Sequence, residues 1–162
     1  GGPEISRLAN IARENNLVDE SIKLPRPMIH SKDFDFSFSG LKTAVLYMVK
    51  NLGGIESLSE EKKQIIAKDF EDSVTEVIIK KTFNALEETG SETLILGGGV
   101  IANIHIRKAF ENKCKENNIK LLLPTHETST DNAIMIAGAG YIKYLTGNYE
   151  KGDFKADGNL AL

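Results

Sequence analysis

The sequence is poor in the residues that build metal clusters and redox centres. Cys114 is the single cysteine, which excludes an intramolecular disulfide and every thiolate-cluster metal site and fits a reducing compartment. Histidine is almost as scarce: His30, His105 and His126 are the only three, and no two of them form a HExxH pair. No apolar run approaches the roughly 20 residues a membrane span needs, and no secretory signal pattern is read. A cytoplasmic protein without a membrane partner is therefore expected. Positive charge is not in excess either. The formal net charge is -3, from 20 Lys and Arg against 23 Asp and Glu, so any nucleic-acid contact must be local or shared with other chain segments. The chain also opens at Gly1-Gly2-Pro3 rather than at methionine, and the expectation is that it was cut from a longer polypeptide.

What is present is an ordinary globular composition. The 162 residues are 41% hydrophobic and 27% charged, enough for one sizeable core. Residues 3–16 read as a short helix, with Pro3 in its first turn and Ile5, Leu8, Ile11 and Ala12 on one face. Residues 19–32 contain Pro25 and Pro27 and read as an extended connector. The alternation Phe34-Asp35-Phe36-Ser37-Phe38-Ser39 predicts a strand over 34–38. Gly40 breaks it, and helical spacing resumes at Leu41. A loop over 51–58 precedes a long helix from Ser59 to Glu88, which Gly90 should end. An αβαβα pattern then follows. It has a strand at 93–96, a helix from Ala102 to Asn117, a strand at 119–123 stopped by Pro124, and a helix over 130–146 capped by Ser129 or Thr130. Three stretches result: a helical and extended connecting segment over 1–58, an α/β portion over 59–147, and a loose tail over 148–162.

Three constellations stand out. In Gly97-Gly98-Gly99-Val100-Ile101-Ala102-Asn103 a buried strand reaches three glycines and a helix starts at once. Backbone N–H groups there can approach a ligand closely, and a helix N-terminus favours phosphate. Asn103, expected in the first helical turn, can donate and accept toward a ribose or a base. The run is neither a Rossmann fingerprint nor a P-loop, and a tight turn without ligand fits it equally well. The second is Pro124-Thr125-His126-Glu127-Thr128-Ser129-Thr130-Asp131-Asn132, which follows the second strand and so shares the sheet edge of the glycine turn. Asp131 reads either as a helix-start acid or as one metal ligand, and one carboxylate is too few for a site. The third is Ser37-Phe38-Ser39-Gly40-Leu41-Lys42-Thr43, a strand end and helix cap in which Lys42 stands near a helix start. The pairs Lys62-Lys63, Lys80-Lys81 and Arg107-Lys108 read as solvated helix faces. Cys114 lacks a local base, and Ser6 and Ser129 lack the setting of a nucleophile.

Taken in order, Gly1-Gly2-Pro3, Leu24-Pro25-Arg26-Pro27-Met28, Asp35 through Thr43, Gly97 through Asn103, and Ser129 through Ala137 resemble the bacterial tRNA N6-adenosine threonylcarbamoyltransferase family, formerly described as a glycoprotease family. The resemblance covers about residues 1–146 and implies the C-terminal part of such a protein. It implies an actin-like ATPase fold of two ribonuclease-H-like domains, with 59–147 belonging to the second and the arrangement incomplete without the N-terminal half. It also implies transfer of a threonylcarbamoyl group from threonylcarbamoyl-AMP to N6 of adenosine 37 in tRNAs that read codons beginning with A. By the same resemblance Gly2, Gly98, Gly99 and Asn103 meet the nucleotide substrate, and Asp131 is a ligand of catalytic Fe2+ or Zn2+. The implied partners are tRNA, the N-terminal half, a small paralogous subunit and an ATPase.

Two departures from the pattern stand out. Ser129 occupies a position where the family usually has cysteine. The His-x3-His motif of the N-terminal domain, which supplies the other metal ligands, is absent. The chain alone should therefore carry half an active site. The alternative reading is a sugar kinase or ATPase of the same fold superfamily, working through Mg2+-bridged phosphates. A non-catalytic paralogue is disfavoured by the presence of both Asn103 and Asp131. A peptidase is disfavoured by the lack of a paired His-Glu motif and of a nucleophile triad.

Overall fold

A computed structural model describes residues 1–125, 128, 132–149 and 152. Its axis is α3 (Glu60–Thr89), an uninterrupted helix of 30 residues and therefore about 45 Å long. Both ends have a chemical cause. The Ser59 hydroxyl accepts the Lys62 backbone N–H at 3.2 Å, and Gly90 closes the last turn in the left-handed region at φ 63°. Against this rod lie α1 (Gly2–Glu14), α2 (Ser39–Asn51) and α4 (Ile104–Glu116), while α5 (Ala133–Leu145), the last helix, buries none of its residues.

Each half of α3 carries its own apolar cluster. In its first half Ile65 and Ile66 pack with Ile22 and Leu58, against Val45, Met48, Val49 and Leu52 from α2 and its end. In its second half Val74, Ile78, Ile79 and Phe83 meet Ile101, Ile106 and Phe110. The second cluster also supports the sheet, which is the pair β1 (Thr93–Ile95) and β2 (Lys120–Leu122). They run parallel, with Leu94 opposite Leu121 and Ile95 opposite Leu122, and α4 makes the crossover between them. Because side chains alternate along a strand, Leu94, Leu96, Leu121 and Leu123 face the helices. Ile95 and Leu122 are left on the other face, 73% and 42% exposed. The result is a mixed α/β fold in which one face of a two-stranded parallel sheet is covered.

Several expectations need correction. Residues 34–38 form no strand; they run irregularly into α2. A strand needs a ladder partner for its N–H and C=O groups, and among the described residues the only sheet is β1–β2. Phe36 is 54% exposed, and its ring sits 5.8 Å from that of Phe38. The helix after the glycine turn begins at Ile104, since Gly99–Ala102 form a 3-10 turn and Asn103 is the cap. The last helix begins at Ala133 and is capped by Asn132, whose side chain accepts the Met135 N–H at 2.9 Å. The expected caps Ser129 and Thr130 lie outside the described residues, as does the expected tail beyond Tyr149 apart from Gly152. Among the described residues no helix is long and apolar enough to cross a membrane.

In two of the basic pairs expected to be solvated one member turns inward, while Lys80 and Lys108 stay exposed. Lys81 is 2% exposed, and its ammonium donates to the Asp33 carbonyl at 2.7 Å, the Asp33 carboxylate at 3.0 Å and Ser31. A buried amine requires such partners, and here they pin the connector onto α3. Arg107 likewise turns back toward the sheet edge.

Candidate functional site

The amino end of α1, the glycine turn and the middle of α3 converge on Asn103. Its side-chain oxygen accepts the Ile106 N–H at 3.0 Å and caps α4. Its Nδ2 donates to the Ser6 hydroxyl at 2.9 Å and to Glu71 Oε1 at 2.6 Å. Ser6 in turn donates to the same Glu71 oxygen at 2.9 Å. Gly2 lies one helical turn before Ser6 and hence on the same face of α1. Gly98, Gly99 and Asn103 thus lie in the turn after β1, and Ser6, one turn after Gly2, is bonded to Asn103.

The glycines face open space. A Cβ built at Gly2, Gly97, Gly98 or Gly99 meets no atom within 4 Å. Packing within this chain does not require their smallness. At Gly98 the backbone itself does, since φ is 85°.

Behind Asn103 lies a charged layer. Arg13 spans two carboxylates, donating one N–H to Glu71 Oε2 and another to Asp72 Oδ1. Asp72 also meets His105 Nε2 at 3.1 Å and the Lys68 ammonium at 3.4 Å. Burial alone would raise both acids. For Glu71 the hydrogen bonds from Asn103, Arg13 and Ser6 outweigh it and hold the carboxyl below its ordinary value. For Asp72 the contacts from His105, Arg13 and Lys68 do so more strongly, well below the usual carboxylate range. Both acids are thus lower when folded than when unfolded, where they titrate at about 4. Their contribution to stability is present above that value and is lost as pH falls through the folded values. Thermal midpoints recorded from about pH 6 down to pH 2 should therefore fall steeply below roughly pH 4.5. Glu71→Gln and Asp72→Asn should flatten that fall, and an unchanged slope in both variants would remove this cluster as its cause.

Arg107 joins the two loops at the strand ends. Its guanidinium donates to the Ile101 carbonyl at 3.4 Å and to the Pro124 carbonyl at 3.0 Å. The glycine turn and the start of the Pro124–Asn132 segment therefore share one edge of the sheet. Asp131, His126 and Glu127 lie outside the described residues. Elsewhere, the Ser37 and Ser39 hydroxyls sit 3.0 Å apart at the entry to α2, and Lys42 is exposed in its first turn. Burial raises the Cys114 thiol and keeps it protonated. Among the described residues no group of three or more His, Cys, Asp or Glu is gathered to hold a metal.

Ser6, Arg13, Glu71 and Arg107 were not among the residues expected at the site. For Ser6 a signal existed, because it stands one turn after Gly2. For Glu71 there was none, since Asp72 and Glu76 stand in the same run Phe70–Ile79.

Comparison with known proteins shows the family of the chain. Residues 1–138 match the family described as TsaD, tRNA N6-adenosine threonylcarbamoyltransferase, and the chain belongs to that family. A tRNA N6-adenosine threonylcarbamoyltransferase from Thermosipho africanus is 42% identical over 162 residues, which is 100% of this chain and 46% of that protein. The enzyme of the same name from Paraburkholderia xenovorans is 44% identical over 143 residues, 88% of this chain and 40% of that protein. The one from Desulfotalea psychrophila is 42% identical over 146 residues, 90% and 41% respectively. The chain thus spans less than half the length of these relatives.

Proposed function

We propose that this chain is the C-terminal part of an enzyme that moves the threonylcarbamoyl group from threonylcarbamoyl-AMP to N6 of adenosine 37 in tRNAs reading codons beginning with A. The observation that carries the reading is the convergence of Gly2, Ser6 and Asn103 beside a glycine turn open to space, in a member of this family. At the start of α1 Pro3 has no N–H and Glu4 and Ile5 donate to the Gly1 carbonyl, which leaves the Gly2 N–H to meet a ligand, and the helix dipole there favours the single negative charge of an acyl phosphate. Gly98 and Gly99 let the backbone come close to the same ligand, and Asn103 contacts it. In the reaction the N6 amine attacks the carbamoyl carbon, a C–N bond forms, the C–O bond to phosphate breaks, and the amine loses a proton as AMP leaves. No residue of the chain is assigned as general base.

The fold that goes with this reading is the actin-like one, with the uncovered sheet face and α5 completed by the N-terminal half. Asp131 is proposed as one ligand of iron or zinc. The described residues do not assemble the rest of such a centre. tRNA, a small paralogous subunit and an ATPase are the further partners, and the setting is the cytoplasm.

The test uses two substitutions at Asn103 in the complete polypeptide. Asn103→Ala should weaken threonylcarbamoyl-AMP binding by about 1–3 kcal/mol. It should also destabilise the fold by about 0.5–2 kcal/mol, because the α4 cap is lost. Asn103→Ser keeps a capping oxygen and so separates the two effects: near-normal melting with weakened calorimetric affinity is expected. Unchanged affinity in both variants would remove Asn103 from the site.

A further inference from the structure

We propose that Glu71 is the positioning residue of this site, and that by fixing the Asn103 amide it makes the Ser6–Asn103 surface select ligands that donate hydrogen bonds, such as a ribose diol. The inference rests on the reading of Asn103 as a ligand contact.

The argument is a count of donors and acceptors. An asparagine amide has two N–H donors and an acceptor oxygen, and its orientation is decided by its partners. Both Nδ2 protons are taken, one by Ser6 at 2.9 Å and one by Glu71 at 2.6 Å. The Ser6 proton is taken too, by Glu71 at 2.9 Å. What the two side chains still offer is acceptor capacity: one lone pair on Asn103 Oδ1 beyond the Ile106 bond, and one on Ser6 Oγ. Two neighbouring acceptors match two neighbouring hydroxyl donors. They do not match the ring nitrogens of a base.

Glu71 is the group that imposes this arrangement. Its side chain is 5% exposed, and its carboxylate can only accept while ionised. Arg13 on Oε2 keeps it ionised and fixes its plane. A neutral glutamine there would offer either a donor or an acceptor and leave the Asn103 amide free to turn over. The same contacts argue against Glu71 as the missing general base. A base for this reaction needs a proton affinity near the working pH, and Arg13, Asn103 and Ser6 all act in the opposite direction.

The experiment measures calorimetric binding of AMP and of 2′,3′-dideoxy-AMP to the complete polypeptide. Wild type should prefer AMP by roughly tenfold or more, the equivalent of two hydrogen bonds. Glu71→Gln should lose most of that preference, and Glu71→Leu all of it, while Glu71→Asp restores part. Where Glu71→Leu does not fold, the glutamine variant decides, together with the Asn103 side-chain amide resonances, which should be two slowly exchanging signals that shift on substitution. A folded Glu71→Gln protein with unaltered preference and unaltered Asn103 signals would overturn the proposal. Failure of the underlying reading looks different: Asn103→Ala would then bind AMP as wild type does.

Discussion

Purified alone, these 162 residues are expected to self-associate and to transfer no threonylcarbamoyl group to tRNA, whereas Ile136→Asp with Ile142→Asp should return a monomer. The cause is α5, Ala-Ile-Met-Ile-Ala-Gly-Ala-Gly-Tyr-Ile-Lys-Tyr-Leu, which is apolar on every side with one lysine. None of its residues is buried, and Ile134, Ile136, Ile142 and Leu145 are 63–75% exposed. A helix that is hydrophobic all round belongs in an interior. Fully burying each such side chain is worth about 1.5–3 kcal/mol, so water is a poor environment for this element. The open sheet face, with Ile95 and Leu122, is a second exposed apolar surface, since parallel strands expect cover on both sides. The relatives are more than twice as long as this chain, and the proposed occupant is the region they have in addition. Light scattering with and without denaturant, run beside a transfer assay, measures both parts. Supplying that region, threonylcarbamoyl-AMP and the partner subunits should restore transfer. A stable monomer of this chain that modifies tRNA unaided would overturn both the half-site and the uncovered-surface arguments.

The elements whose causes are local were legible in the sequence. Ser59 and Gly90 bracket α3 because a capping hydroxyl and a left-handed glycine act over one turn. The two parallel strands were legible as short apolar runs ending in glycine and proline. The strand over 34–38 was over-read for an instructive reason. Alternation says that a segment suits a pleated surface, but it supplies no neighbour to pair with. The polar tertiary contacts were not legible at all. Asn103 meets Ser6 across 97 positions and Glu71 across 32, and Lys81 reaches Asp33 across 48. Helical spacing sets Lys81 on the apolar face, i+4 from Val77 and i+7 from Val74, but nothing local supplies the acceptors that hold it there. Asn103 shows the mixed case. Its residue type and its place after the glycines marked it out, yet its role as a cap and tether emerged only with α1 and α3 around it.

Arg13→Ala is expected to cost about 1–3 kcal/mol of folding stability, the range for leaving a largely buried acceptor without its partner. The arginine is the only cation bonded to Glu71 among the described residues, and that carboxylate is 5% exposed. Without it, two neutral donors, Ser6 and Asn103, are left to hold a charge that water cannot reach. Asp72 suffers less, because His105 and Lys68 remain beside it. Arg13→Lys should recover only part of the loss, since an ammonium cannot span two carboxylates as the guanidinium fork does. The decisive variant is Arg13→Ala with Glu71→Gln. Neutralising the acid removes the stranded charge, so the double substitution should be less damaging than the sum of the two singles. The exposed pair Glu4–Arg7 on the same helix, with side chains 56% and 57% exposed, is the control, and Arg7→Ala should barely move the midpoint. Urea denaturation measures the five variants beside the wild type, with equal slopes required for the comparison to hold. An Arg13→Ala protein as stable as Arg7→Ala would mean that Glu71 is solvated in solution, and the layer behind Asn103 would then be a surface feature.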